Sequence, residues 1–241
     1  MAGEIFNLVS GAIGGGLVAA GLRVFENYFL APRLAESVEA RKKILLYSKP
    51  LWRACHDLHY RLFYIKKKMH SPRATLAASP QDAESLQWFT TSEGNYITSA
   101  AYMIATVACW IALYERDAVF LQFGQRSLTA QFLLKTESFK QSISSNKSIL
   151  WFNYVNGIGE QLIQEETNRP VTFSSFCQKL LRDQDFRDYY TQLFCFLNEV
   201  NQGKFEASIE NTLVALDDIK KFLVSNGIVV EMPEEFGPKW D

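Results

Sequence analysis

The sequence predicts an all-α protein: an N-terminal transmembrane helix followed by a single cytoplasmic helical-bundle domain. Three observations carry that expectation. The first is an uncharged apolar run, Ile5 to Leu22. The second is the charge that follows it. Residues 33–73 sum to +8 and residues 74–241 to −8, within a chain of net charge −1. The third is a set of long segments with apolar residues at helical spacing, the clearest of them Glu206 to Ser225.

As a helix, the first run would be about 27 Å long, close to a hydrocarbon core of about 30 Å. Its five glycines are costly in a water-exposed helix. Close helix packing accounts for them. Gly11, Gly15 and Ala19 fall four apart and make a small-residue stripe, and Ala12, Gly16 and Ala20 make a second stripe beside it. Phe25, Tyr28 and Phe29 follow, as aromatics do at a membrane interface. A secretory signal would want positive charge ahead of the run, yet the leading charge is Glu4. A glycine linker or a buried soluble helix is the remaining alternative. Residues 1–32 are thus expected to form the membrane helix.

The basic residues Arg33, Arg41, Lys42 and Lys43 come next and suit an anionic lipid surface. The positive-inside rule then puts the body in the cytoplasm, on the inner membrane, with a single pass. Residues 33–70 are read as a basic juxtamembrane helix that joins the body. Its apolar stripe runs Ile44, Leu45, Tyr47, Leu51, Trp52, Cys55, Leu58, Leu62, Phe63 and Ile65. Pro50 predicts a kink or break near Lys49. Residues 71–85, with two prolines and many small residues, read as a loop.

The body is expected over residues 86–227. Tyr96 to Tyr114 is long enough to cross a bilayer but lacks flanking Lys/Arg belts, so a buried central helix is the preferred reading. Gly124 marks a stop, and Thr129 to Ser148 mixes β-formers with serine and fits neither period. Ile149 to Glu165 reads as a helix weakened by Gly157 and Gly159. Thr172 is placed to cap a helix through Leu181, and Asp185 to Asn201 forms another. Gly227 is placed to end the helix from Glu206, and residues 228–241 form a tail.

The composition, 48% hydrophobic, is ample for one core and an anchor. Cys55, Cys109, Cys177 and Cys195 are far apart and lie among apolar residues, as reduced core cysteines do. No metal or other cofactor is expected, since no CxxC pair or histidine cluster is present. Phosphate-loop and nucleophile-elbow motifs are absent too. Trp88, Trp110 and Trp151 read as core, and Glu160, Glu165 and Glu166 as solvated helix charges.

Three stretches, PLWRACHDLHYRLFYI at Pro50, ACWIALYERDAVFL at Ala108 and IGEQLI at Ile158, resemble an uncharacterised group of bacterial proteins. Each member carries one N-terminal membrane helix and a helical body. The layout is also similar to that of CRISPR-associated membrane-pore accessory proteins, which assemble into rings. The resemblance implies a homo-oligomer in a lipid bilayer, with a pore-forming or membrane-disrupting role in bacterial defence. Two other classes stand beside it. Arg53 and His59 have the R-x5-H spacing of HEPN ribonucleases, in which the arginine would stabilise phosphate charge and the histidine act as acid or base. A membrane-tethered scaffold, recruiting a protein partner through its body, is the other. Nucleic acid is not an expected partner, and the preferred reading is not an enzyme.

Overall fold

The computed structural model describes residues 31–68, 83, 85–117, 126–144 and 150–230. The small-residue stripes Gly11/Gly15/Ala19 and Ala12/Gly16/Ala20 lie outside the described residues, as does nearly all of the loop expected at 71–85. Seven α-helices account for most of what is described, so the all-α expectation holds. The chain divides into two compact units, residues 1–43 and Ile44–Asp241.

Helix α1, Ala31–Lys68, carries Arg33, Arg41, Lys42 and Lys43 in its first turns. It does not break at Pro50, contrary to the interruption expected near Lys49. A proline inside a helix forfeits one backbone hydrogen bond, at a cost of about 3 kcal/mol. The carbonyl left without that bond belongs to Leu46, an exposed residue, so water can serve it. Burial of Tyr47, Leu51, Trp52 and Cys55 around the proline offsets the remainder. The stripe differs from expectation at two places: Leu45 and Phe63 are exposed.

A short 3-10 turn, Trp88–Thr90, leads into α2, Ser92–Asp117. The turn passes so close that a Cβ on Gly94 would lie 2.3 Å from the Trp88 carbonyl oxygen. Helix α2 is the buried centre that the sequence predicts. Ala101, Ala105, Cys109, Ile111, Leu113 and Tyr114 are fully enclosed. By length and composition Gly94–Arg116 is apolar enough to cross a membrane, but 72% of its most apolar window is covered by the body. Helices α4 (Phe152–Glu160), α5 (Phe173–Arg182) and α6 (Gln184–Asn201) all pack on it.

Helix α3, Arg126–Ile143, resolves the stretch that sequence periodicity left open. Phe132, Thr136, Phe139 and Ile143 are buried at spacings of four, three and four, a helical face. That face packs on α7, Glu206–Ser225, and Phe132 sits against Tyr114 at 4.4 Å and Phe222 at 5.7 Å between ring centroids. Lys140 on the same helix is buried, and its Nζ donates to both Glu115 oxygens at 2.7 Å.

Helix α4 is shorter than expected. It ends at Glu160, and Ile163–Gln164 pairs antiparallel with Arg169–Pro170 as β1 and β2. Glu165 and Glu166 therefore sit in an exposed hairpin turn rather than on a helix. Gly159 explains the location of α4. A Cβ there would meet the α2 backbone at Ala108 at 2.5 Å, so only glycine lets the two helices cross this closely. Trp151, expected in the core, is the exposed N-cap of α4 at 77% exposure.

The remaining boundaries follow local chemistry. Thr172 caps α5 as predicted, its hydroxyl accepting from the Ser175 amide at 3.2 Å. Asp183 caps α6 in the same way, accepting from Phe186 at 3.0 Å. Gly227 adopts φ +64° and closes α7, with Gly227 N–H donating to Val224 and Ile228 N–H to Leu223. Val229, assigned to the tail, is buried and belongs to the body. Residues 231–241 lie outside the described residues.

Candidate functional site

Among the described residues a concavity lies inside the body, between α1 and α7. Its volume is about 750 Å3. On α1 it is lined by Trp52, His56, His59, Tyr60 and Phe63, which recur at three- and four-residue steps and so share one face. On α7 the lining is Asp217, Lys220, Lys221, Val224 and Ser225, with the same periodicity. The two helices are linked further along by the ion pair of Lys66 with Glu210.

The α1 wall is aromatic. Trp52 and His56 stack at 5.1 Å between centroids, 13° apart, and Tyr60 meets His56 edge-on at 4.8 Å. Trp52 is nearly enclosed, His56, His59 and Tyr60 are half-buried, and Phe63 is 55% exposed at the rim. The α7 wall is charged. Asp217 is held between Lys220 at 3.3 Å and Lys221 at 2.6 Å. Partial burial works against the Asp217 carboxylate, but hydrogen bonds from Lys221 and Lys220 outweigh it and lower its pKa.

His59 sits where the two walls approach. Burial lowers its pKa below 6.5, and Lys220 pushes the same way against the smaller opposing pull of Asp217. The ring is therefore neutral at neutral pH. Its Nδ1 is shielded from solvent and, among the described residues, has no hydrogen-bond partner. The indole Nε1 of Trp52 is in the same position. Such groups cost stability and are uncommon in folded interiors. Cys55, one turn from this wall, is fully buried, and burial pushes its thiol far above the ordinary range, which leaves it inert as a nucleophile.

The sequence candidates fall differently. His59 lines the cleft, whereas Arg53 does not: its side chain is 54% exposed and pairs with Asp57 at 3.6 Å. Six residues on a helix turn the chain about 600°, which leaves the two side chains about 120° apart around the axis. The structure thus does not bring Arg53 and His59 to one face within a single chain. Asp57 itself is half-buried, and that burial raises its pKa despite Arg53 beside it. Lys42 is exposed on α1. Cys195, read from sequence as core, is exposed, while the other three cysteines are buried. Among the described residues no group of three or more His, Cys, Asp or Glu side chains is placed to hold a metal ion.

Sequence reasoning reached the α1 half of the cleft, through RACHDLH, and missed the α7 half. Asp217, Lys220 and Lys221 look like the ordinary solvated face of an amphipathic helix. Only the fold sets them opposite a row of rings more than 150 residues away in sequence. No family model matches the chain, and no solved structure matches it.

Proposed function

We propose that the chain is a membrane-anchored helical protein that assembles through its N-terminal helices into a membrane-disrupting bundle or pore, with the helical body as its controlling unit. The observation that carries the reading is the exposed surface of α1 within the body. Leu45, Leu46, Lys49 and Arg53 are all exposed and lie at steps of one, three and four residues. Leucines with lysine and arginine on one exposed face suit a lipid headgroup layer, where the aliphatic groups enter the boundary and the cations stay at the phosphates. The sequence upstream supports the same reading. Two small-residue stripes let a helix touch neighbours on both sides, as a ring requires, and a lone anchor has no need of them.

Three measurements test it. Full-length protein should remain in the membrane pellet after carbonate washing, and protein lacking residues 1–32 should not. Purified in detergent, it should run as an oligomer and release dye from liposomes. Gly11→Leu, Gly15→Leu and Gly16→Leu should abolish assembly and leakage but keep insertion. A monomer in detergent that is indifferent to those changes leaves only a tether, and a full-length protein soluble without detergent removes the anchor as well.

A further inference from the structure

The cleft between α1 and α7 has two unlike walls. One presents rings: His56 and Tyr60 half-buried and Phe63 open at the rim. The other presents two ammonium groups sharing a single carboxylate, Lys220 and Lys221 about Asp217. Asp217 neutralises one of them, so the wall keeps one net positive charge. Lys221 is 74% exposed and can turn from Asp217 toward a bound anion, while Lys220, at 16%, is held in place. Residues 44–241, which include the α1 wall and its basic residues, sum to −2, so a spot of net positive charge favours an anion locally.

We propose that this cleft binds a small ligand made of a flat ring and a phosphate, the chemistry of a mononucleotide. The ring lies along His56, Tyr60 and Phe63, because aromatic faces accept any base by stacking. The phosphate faces Lys221 and Lys220 across the cleft, with the Ser225 hydroxyl beside them. A volume of about 750 Å3 is in the range of small-molecule sites, typically about 300–1,000 Å3. The inference goes beyond the membrane reading and does not depend on it. Protein that washes off the membrane yet binds a nucleotide would sink that reading and keep this one.

The test is isothermal titration of full-length protein in detergent with AMP, GMP, CMP and UMP, and with adenosine and inorganic phosphate as half-ligands. At least one nucleotide should bind at or below millimolar concentration. Both half-ligands should bind at least about tenfold more weakly, since each uses one wall. Lys221→Glu and Phe63→Ser should each weaken nucleotide binding by about tenfold or more. Both positions are exposed, so the fold should survive, and circular dichroism checks this. Leu134→Ser, at a 67% exposed position on α3 outside the cleft lining, should leave binding unchanged. The inference is overturned if none of the four nucleotides binds, if inorganic phosphate binds as tightly as they do, or if both cleft variants, still folded, bind like the parent.

Discussion

Gly159→Ala adds one methyl group where α4 crosses α2, and the structure fixes what that methyl meets. Its Cβ would lie 2.5 Å from the Ala108 carbonyl carbon, 2.6 Å from its oxygen and 2.8 Å from the Cys109 nitrogen. Ordinary contact begins at about 3.4 Å, and all three obstacles are backbone, so none can swing aside. Helix α4 must therefore move outward by about 1 Å, which costs about 1–3 kcal/mol as overpacking. The move also strains the hydrogen bond from Tyr190 Oη to the Ile158 carbonyl at 2.6 Å, worth about 1 kcal/mol. Alanine returns about 1 kcal/mol through helix propensity. The net loss is about 2 kcal/mol, or roughly 4–8 °C in Tm for a body of this size. Thermal unfolding of the full chain, followed by circular dichroism, measures it. Gly157→Ala is the control. Its obstacle is the Tyr189 hydroxyl at 1.7 Å, the far end of a side chain that can turn. It should therefore cost less and be partly rescued by Tyr189→Phe, which should do nothing for Gly159→Ala. A Gly159→Ala protein that melts at or above the parent would refute the close crossing of α4 on α2.

Three further outcomes follow from named contacts. Lys140→Met keeps the buried stem but removes the ammonium bonded to Glu115, so it should cost about 2–3 kcal/mol in chemical denaturation, and adding Glu115→Gln should recover part of the loss. His59 has a folded pKa below its unfolded value of 6.5, so between the two the unfolded chain binds more protons. Its contribution is full above 6.5 and is lost as pH falls through that window. Parent protein should lose more stability than His59→Gln between about pH 7 and about pH 5, and equal losses would refute the assignment. Gly227→Ala meets no atom within 4 Å, so only the left-handed φ of +64° opposes it; a Tm drop corresponding to about 1 kcal/mol is expected, and an unchanged Tm would count against the α7 cap.

Helices with a continuous apolar face were legible in the sequence. Helix α7 and the central α2 both read correctly, and Thr172 marked the start of α5 because a cap is a local event. Helix α3 was obscured by its serines, which weaken any period. Yet Ser142 is buried, with its hydroxyl against Thr212 at 2.9 Å and its carbonyl accepting from Ser208. The polar residues there are part of the α3–α7 contact, which no single-strand reading of periodicity can show. Pro50 misled for the opposite reason. Its local penalty is real, but the burial around it is larger, and only the tertiary structure supplies that burial. Phe63 and Trp151 read as core by residue type, since an exposed aromatic and a buried one look alike in sequence. Phe63 is also the residue that opens the cleft rim.

Helix α2 shows why apolar length alone does not assign a membrane span. Lipid could replace the apolar contacts of Ala101, Ala105 and Ile111, but not the polar ones made by the same helix. Tyr102 Oη donates to the Val171 carbonyl at 2.8 Å, Ser99 Oγ accepts from Arg61 at 2.9 Å, and Glu115 holds Lys140. Extracting α2 into hydrocarbon would strip these partners from groups that lipid cannot satisfy. It would also uncover the apolar faces of α4, α5 and α6 that now lie against it. Within the described residues, α2 is therefore committed to the body. The anchor proposed above, Ile5 to Leu22, is a separate segment from α2. Carbonate extraction with and without residues 1–32 tests that proposed anchor directly: retention of the shortened chain would count against it and leave α1 or α2 to account for the membrane contact.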